Sequence, residues 1–126
     1  MQPKRDMELV RELLLKLESW EMRMGDVFVI PPDDPGLAVP GYDPAQIEYH
    51  LSLLRDEGLL NCPGSQPMLG ITFAGITWKG HEFLDNVRDP DVWQKTRTRA
   101  MTVGGWSLGI LTEIAKAEIK MRLGLH

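Results

Sequence analysis

The residues of this chain that could perform chemistry begin with its histidines and their acidic neighbours. His81 and Asp85 are four residues apart and so share one face of a predicted helix, with Glu82 beside them. Zinc commonly needs three or four protein ligands, and only His50 offers a distant third, since His126 is terminal. We therefore expect no metal or hydrolytic site. Pairing of His81 with Asp85 at the helix start explains these residues more simply, and His50, at the rim of an apolar stripe, is predicted to be a hydrogen-bonded structural histidine.

The other reactive side chains do not form a catalytic motif. Cys62 is the only cysteine, so an intramolecular disulfide and a cysteine-based zinc site are both excluded, and we expect a spectator thiol. The sequence has no glycine-rich phosphate loop, nucleophile elbow or nucleotide fingerprint. Trp78 and Trp93 lie beside predicted core positions, whereas Trp20 and Trp106 lie near helix ends, where a contact between copies is an option. The sequence predicts no enzymatic activity and no cofactor.

Nucleic-acid binding is the next chemistry to consider, and the basic residues decide it. A helix from Pro44 to Glu57 would present Tyr49, Ser52 and Arg55 to the major groove together with two acidic side chains. Of these, Arg55 is the only good reader of guanine. The turn from Pro63 to Pro67, which would form a wing, contains no Lys or Arg. This surface therefore offers little to DNA phosphates.

A second basic cluster follows further along the chain. Lys95 and Arg99 are one helical turn apart, with Arg97 between them and Arg88 nearby in sequence. The cluster fits either a phosphate grip or the solvated side of a helix. The formal net charge of −4 opposes an approach to DNA, so DNA is a partner that the sequence allows but does not favour. Six residues are the candidate DNA contacts: Tyr49, Ser52, Arg55, Lys95, Arg97 and Arg99.

Length and composition bound the molecule that must position these residues. The 126 residues, 43% hydrophobic and 25% charged, fit one folded domain. No apolar run approaches the roughly 20 residues of a membrane span, and the N-terminus lacks the apolar core of a secretion signal. We expect a cytoplasmic protein with no membrane contact.

The first half of the chain predicts helices and strands in alternation. Apolar residues at helical spacing predict a helix from about Pro3 to Ser19, and Val27–Ile30 fits an edge strand. Five prolines between Pro31 and Pro44 forbid a normal helix there, so the second helix of a winged-helix domain is either lost or reduced to a turn. Whether this segment is ordered without a partner stays open. Asp43 then caps the helix that starts at Pro44.

The second half begins with a hairpin and ends in helices. Gly58 is placed to stop the preceding helix, and strands at Leu59–Cys62 and Met68–Trp78 flank the turn PGSQP. Gly70 and Gly75 predict a bulge or split in the second strand. Helices follow from Thr77 to about Val87, from the pair Asp89-Pro90 to the break at Gly104-Gly105, and from Ser107 to about Leu123.

The last helix is apolar around well over half of its circumference, with a narrow polar strip. Packing on a single core needs an apolar arc of only about 100°. The excess predicts a second contact surface, most economically another copy of the chain in a homodimer; the alternative is a helix wedged into a groove of its own domain. The expected dimer contacts are Trp106, Leu108, Leu111, Ile114, Ile119 and Met121.

Four segments resemble the domain-of-unknown-function family 2513, an uncharacterised group of bacterial and prophage proteins. They are KRDMELVRELLLKLE (Lys4–Glu18), GYDPAQIEYHLSLLRDEGLL (Gly41–Leu60), ITWKGHEFLDNVRDPDVWQKT (Ile76–Thr96) and GGWSLGILTEIAKAEIKMRLG (Gly104–Gly124). The third segment is the most specific, whereas Phe28–Pro40 and the hairpin are the least family-like. The resemblance implies a winged-helix-like fold and carries no established activity or site residue.

Together these patterns predict an α+β, winged-helix-like domain with additional C-terminal helices. It would be one domain over residues 1–126, with a core from about residue 3 to 88 and a helical extension from about residue 89 to 124. The predicted function is a non-enzymatic interaction or regulatory module of bacterial or phage origin that acts as a protein–protein adaptor. The alternative is a DNA-binding transcriptional regulator.

Overall fold

A computed structural model describes residues 4–103 and 107–125 and has an α+β architecture. The chain divides into two compact units, which we call the N-terminal unit (Met1–His81) and the C-terminal unit (Glu82–His126). In the described residues, the helices are α1 (Met7–Glu18), α2 (Pro44–Asp56), α3 (Trp78–Val87), α4 (Pro90–Val103) and α5 (Leu108–Arg122). The strands are β1 (Phe28–Ile30) and β2 (Ile71–Phe73), and one 3-10 turn spans Pro35–Leu37.

Helix α1 starts four residues later than the sequence suggested. Its N-cap is Asp6, whose carboxylate accepts hydrogen bonds from the backbone N–H groups of Glu8 and Leu9. This carboxylate satisfies amides that have no partner inside the helix, and so fixes the start at Met7. The apolar stripe of α1 is buried and packs against α2 and the 3-10 turn.

The proline-rich segment is ordered around a single 3-10 turn. Asp34 caps this turn by accepting a hydrogen bond from the Gly36 N–H at 2.8 Å, and Leu37 is fully buried. The prediction that this segment holds no normal helix is confirmed, since its described helical structure is this 3-10 turn. Its prolines are compatible with one turn but not with the repeated backbone bonds of an α-helix.

Helix α2 begins and ends where the sequence predicts. Asp43 and Gln46 form a reciprocal capping box, with both side-chain-to-backbone hydrogen bonds at 2.8 Å. Pro44 occupies the first turn, and Gly58 takes the left-handed backbone conformation (φ 75°) that follows the last turn. Its buried face carries Ile47, His50, Leu51 and Leu54.

The two strands form an antiparallel sheet in which Phe28 lies opposite Phe73 and Ile30 opposite Ile71. The strand at Val27–Ile30 is thus confirmed. The longer strand predicted from residue 68 to 78 is split, as its glycines indicated: β2 ends at Phe73, and a separate bridge joins Leu60 to Ile76. Gly70 is required here, because a Cβ at this position would lie 1.9 Å from the Ile30 carbonyl oxygen.

Helix α3 is capped by Thr77, whose Oγ1 accepts a hydrogen bond from the Gly80 N–H and donates one to the Gly58 carbonyl. Gly80 lies directly against the Leu59 backbone, so this side of the first turn is the packed side. Trp78, two positions away, therefore faces outward and is 81% exposed, which corrects its predicted place beside the core. Trp93, in α4, is buried as predicted.

In the C-terminal unit, α4 and α5 pack as an antiparallel pair. Arg122, near the end of α5, pairs with Asp89 and Asp91 at the start of α4, and Glu118 pairs with Arg99 one turn before the end of α4. Ser107 caps α5 by accepting a hydrogen bond from the Ile110 N–H. The predicted break at Gly104-Gly105 lies outside the described residues.

Among the described helices, none combines the length and the apolar character that crossing a membrane requires.

Candidate functional site

The buried polar residues that could support chemistry form a network around His50. Its Nε2 accepts a hydrogen bond from the Asp6 N–H at 2.8 Å, and its Nδ1 lies 2.7 Å from the Gln46 carbonyl oxygen. A carbonyl can only accept, so Nδ1 carries the proton and the imidazole is the neutral Nδ1–H tautomer. The prediction of a hydrogen-bonded structural histidine is confirmed: His50, which is 1% exposed, joins α2 to the start of α1.

Tyr42 completes this network from the proline-rich segment. Its hydroxyl donates to the Asp6 carboxylate at 2.7 Å, while that carboxylate also caps α1. Burial and this hydrogen bond raise the pKa of Tyr42 to about 12. The His50, Asp6 and Tyr42 side chains are thus engaged in holding three segments together. These contacts have a structural role, because the Asp6 carboxylate both caps α1 and accepts the hydrogen bond from the Tyr42 phenol.

The second histidine does not make the expected pair. His81 Nδ1 lies 3.8 Å from the Glu18 carboxylate, at the end of α1, whereas Asp85 pairs with Arg88 at 2.9 Å. The predicted pairing of His81 with Asp85 is therefore wrong, because each residue has a different charged neighbour. Over the described ranges 4–103 and 107–125, no group of three or more His, Cys, Asp or Glu side chains is arranged to hold a metal ion.

Cys62 is half-buried and free, at the start of the loop that leads to β2. Burial raises the pKa of its thiol, although the nearby Arg55 acts in the opposite direction. A raised pKa lowers the thiolate fraction at neutral pH, and the thiolate is the reactive form. This environment is that of a poorly reactive thiol.

The three candidate DNA contacts on α2 are all half-buried and engaged within the protein. The Tyr49 ring packs edge-on against the His50 ring, with centroids 5.4 Å apart, and the Ser52 hydroxyl donates to the Tyr49 carbonyl. The Arg55 guanidinium pairs with Asp56 on the same helix at 3.1 Å. The structure brings these three together on one side of α2, where the one cation has an anionic neighbour.

The part of the sequence that contains this helix carries almost only negative charge. From residue 24 to residue 78, which includes β1, α2 and the hairpin, the sequence has seven carboxylates and a single cation, Arg55. A DNA-binding surface gains affinity by releasing counterions from phosphates, which requires lysines and arginines. This part of the N-terminal unit has almost none.

The N-terminal unit instead exposes an apolar edge that the sequence reasoning missed. Val27 and Val29 are exposed on β1 and its approach, and Met68 and Leu69 are exposed just before β2. Both stretches belong to the same two-stranded sheet: Val29 lies opposite Thr72, and Met68 and Leu69 lie beyond the end of the ladder at which Ile30 pairs with Ile71. The signal in the sequence was a run rich in apolar residues without a single Lys or Arg, from residue 24 to residue 54. We call Val27, Val29, Met68 and Leu69 the apolar edge.

The second basic cluster is divided by the structure. Lys95 pairs with Asp91 at 3.3 Å, and Arg99 pairs with Glu118 of α5 at 2.9 Å. Lys95 and Arg99 lie on one side of α4. Arg97, two positions from each of them, bonds instead to Gln94. Glu118 is only 5% exposed, so moving Arg99 onto a phosphate would leave a buried carboxylate without this partner.

Lys95 and Arg99 border an open groove between α4 and α5 with a volume of about 320 Å³. The groove contains both charged and apolar walls. Its lining residues are Gln94, Lys95, Thr98, Arg99, Glu118 and Met121.

The candidate dimer contacts on α5 fall on different sides of the helix. Leu111 is fully buried, so it belongs to the packed face, and Leu108, Ile114 and Ile119 are half-buried. Met121 is 57% exposed. Trp106 lies outside the described residues. The structure also adds Ile110, whose exposed position the prediction did not include.

Comparison with known proteins identifies relatives but no characterised activity. Residues 4–107 match the family described as "Hypothetical protein (DUF2513)". An uncharacterized protein of Haemophilus influenzae (strain ATCC 51907 / DSM 11121 / KW20 / Rd) is 30% identical over 123 residues, spanning 95% of this chain and 98% of the relative. No solved structure matches the chain significantly. The family match covers most of the sequence, and the chain therefore belongs to the domain-of-unknown-function family 2513.

Proposed function

We propose that this protein is a non-enzymatic protein–protein adaptor of bacterial or phage origin, built on a winged-helix-like scaffold and acting as a homodimer. The observation that carries the proposal is the stretch from residue 24 to residue 78, which has seven carboxylates and one guanidinium and includes the exposed apolar edge. Such a surface repels DNA phosphates and favours contact with protein.

The strand connections support the winged-helix-like scaffold. After α2, the backbone at Leu60 bridges to Ile76, and the same returning stretch pairs through β2 with β1. The stretch that returns from the hairpin therefore pairs with both of the others at different positions, and α2 precedes the hairpin. In a winged-helix domain α2 would occupy the DNA-reading position. The adaptor proposal holds that this scaffold has kept its shape and lost its DNA-reading surface.

The apolar edge is the proposed docking site for the partner protein. In the described residues β1 pairs with β2 alone, so its other backbone edge is open. An open strand edge with apolar side chains is a template for an added strand or an apolar surface. Because Asp26, Asp33 and Asp34 lie close to β1 in sequence, we propose a partner with an apolar centre and a basic rim.

A charge placed in the apolar edge tests this proposal. Val29→Lys introduces a cation at a side chain that is 66% exposed, so the fold should be retained while the partner is lost. Ser65→Lys places the same charge on the exposed turn of the hairpin and serves as the matched control. The measurement is affinity capture with cross-linking from a lysate of the organism that encodes the chain, after nuclease treatment.

We expect the wild type and Ser65→Lys to capture the same partner protein. Val29→Lys should capture it at a yield at least about tenfold lower, since the centre of an interface tolerates a charge poorly. Capture of the same proteins at equal yield by all three would contradict the proposed docking site. Capture that disappears with nuclease would favour the DNA-binding alternative.

A further inference from the structure

The outer flank of α5 carries a continuous line of apolar residues. Ile110, Ile114, Ala117 and Met121 are spaced by four, three and four positions, so they lie along one side of the helix. Ile110 is 40% and Met121 is 57% exposed, Ala117 is exposed and Ile114 is half-buried. This is the spacing by which one helix packs along another in a coiled coil. We call these four residues the seam.

The seam borders the groove between α4 and α5. Met121 is shared by both, and Thr98 lines the groove from the side of α4. One turn beyond Thr98 on the same side of α4, Met101 is 67% exposed. The α4–α5 pair thus presents a concave, partly apolar surface that matches the convex surface of a helix.

The charges beside the seam identify the occupant. Glu113 directly precedes Ile114, and Lys120 directly precedes Met121, so these opposite charges lie on the same side of the seam, seven residues apart. A second α5 packed antiparallel, with Ile114 opposite Ala117, would place Glu113 of each copy near Lys120 of the other. Parallel packing would instead bring Glu113 toward Glu118, a like charge. The seam is therefore complementary to itself in the antiparallel direction.

We propose that a second copy of this chain docks its α5 antiparallel on the seam, so that two α4–α5 pairs form a four-helix bundle closed by two Glu113–Lys120 ion pairs. This deepens the homodimer of the proposed function and rests on it. The sequence prediction placed Leu108, Leu111 and Ile119 in the dimer contact. In this proposal the contact is formed by the outer flank of the helix instead.

Charge reversal at the two positions tests both the interface and its direction. Glu113→Lys and Lys120→Glu each turn two attractive pairs into two repulsive ones, and each should weaken dimerisation by about tenfold. The double variant Glu113→Lys/Lys120→Glu restores opposite charges and should return to within about threefold of wild type. An equimolar mixture of the two single variants should form heterodimers in preference to either homodimer, because both pairs are then complementary.

The dissociation constants are measured by sedimentation velocity across a concentration series of the full chain, with thermal unfolding of each variant as a check on folding. Glu21→Lys and Lys4→Glu make matching charge changes at exposed positions of the N-terminal unit and should leave dimerisation unchanged. Wild-type dimerisation by both single variants, or failure of both the double variant and the mixture to recover, would overturn the proposed pairing. A wild type that stays monomeric at tens of micromolar would remove the homodimer itself while leaving the apolar-edge experiment as a separate test of the adaptor.

Discussion

At the scale of single residues, Asp6 connects three segments of the N-terminal unit. Its backbone N–H donates to His50, one carboxylate oxygen caps α1, and the other accepts from Tyr42. The sequence identified His50 as a structural residue because of its place beside an apolar stripe. It gave no sign of the partners, because Asp6 and His50 are separated by 44 positions. Such long-range pairs depend on how segments pack, which local spacing does not encode.

Because the pKa of Tyr42 is raised, the stability of the protein should vary with pH in the alkaline range. Its pKa rises from 10.0 to about 12, first through burial and then through its hydrogen bond to Asp6. Since the folded-state pKa is the higher one, the unfolded chain loses its proton first as the pH rises. The stabilisation from the neutral phenol is therefore complete below pH 10.0 and is lost as the pH rises to about 12.

This dependence is measured by urea unfolding of wild type and Tyr42→Phe over the alkaline range. Phe keeps the ring but lacks the ionisable hydroxyl, so the stability advantage of wild type should shrink as the pH rises through this window. A difference in unfolding free energy that stays constant up to the highest pH would show that Tyr42 has no raised pKa in the folded state.

At the scale of elements, the accuracy of the sequence prediction follows the range of the interactions involved. The limits of α2 were predicted well, since Asp43, Pro44 and Gly58 act on backbone groups within one turn. The exposure of Trp78 was predicted wrongly, because it follows from the close approach of Gly80 to the Leu59 backbone, 21 positions away. The same reason explains why Lys95 and Arg99 were grouped as a basic cluster: the acidic partner of Arg99 lies on another helix.

The ion pair between Arg99 and Glu118 is expected to stabilise the packing of α4 on α5. Arg99→Ala removes the partner of a carboxylate that is 5% exposed, and should lower the free energy of unfolding by about 2 kcal/mol. Adding Glu118→Gln should recover much of this loss, because the buried group is then neutral.

Chemical denaturation of wild type, Arg99→Ala and Arg99→Ala/Glu118→Gln measures these effects. Lys95→Ala, which breaks only the exposed pair with Asp91, is the matched control and should change stability by less than about 0.5 kcal/mol. Equal, small effects for Arg99→Ala and Lys95→Ala would mean that the Glu118 carboxylate is satisfied without Arg99.

At the scale of the whole molecule, the distribution of charge argues against DNA as the partner. The chain has a formal net charge of −4, and its one acidic stretch of 55 residues contains the helix and hairpin that a winged-helix protein would place on DNA. Two basic residues of α4, Lys95 and Arg99, lie outside this stretch and are paired with carboxylates. The acidic stretch is visible in the sequence, whereas the apolar edge follows from the exposure of Val27, Val29, Met68 and Leu69 in the folded chain.

The central claim, that this protein recognises protein rather than DNA, is tested most directly by fluorescence polarisation with a long duplex. The full chain is titrated at about 50 and 200 mM salt, because phosphate-mediated binding weakens steeply over this range. We predict no saturable binding at either salt concentration with protein at tens of micromolar. Saturable binding that weakens with salt and is lost in Lys95→Glu/Arg97→Glu would contradict the claim and assign Lys95 and Arg97 of α4 to DNA contacts.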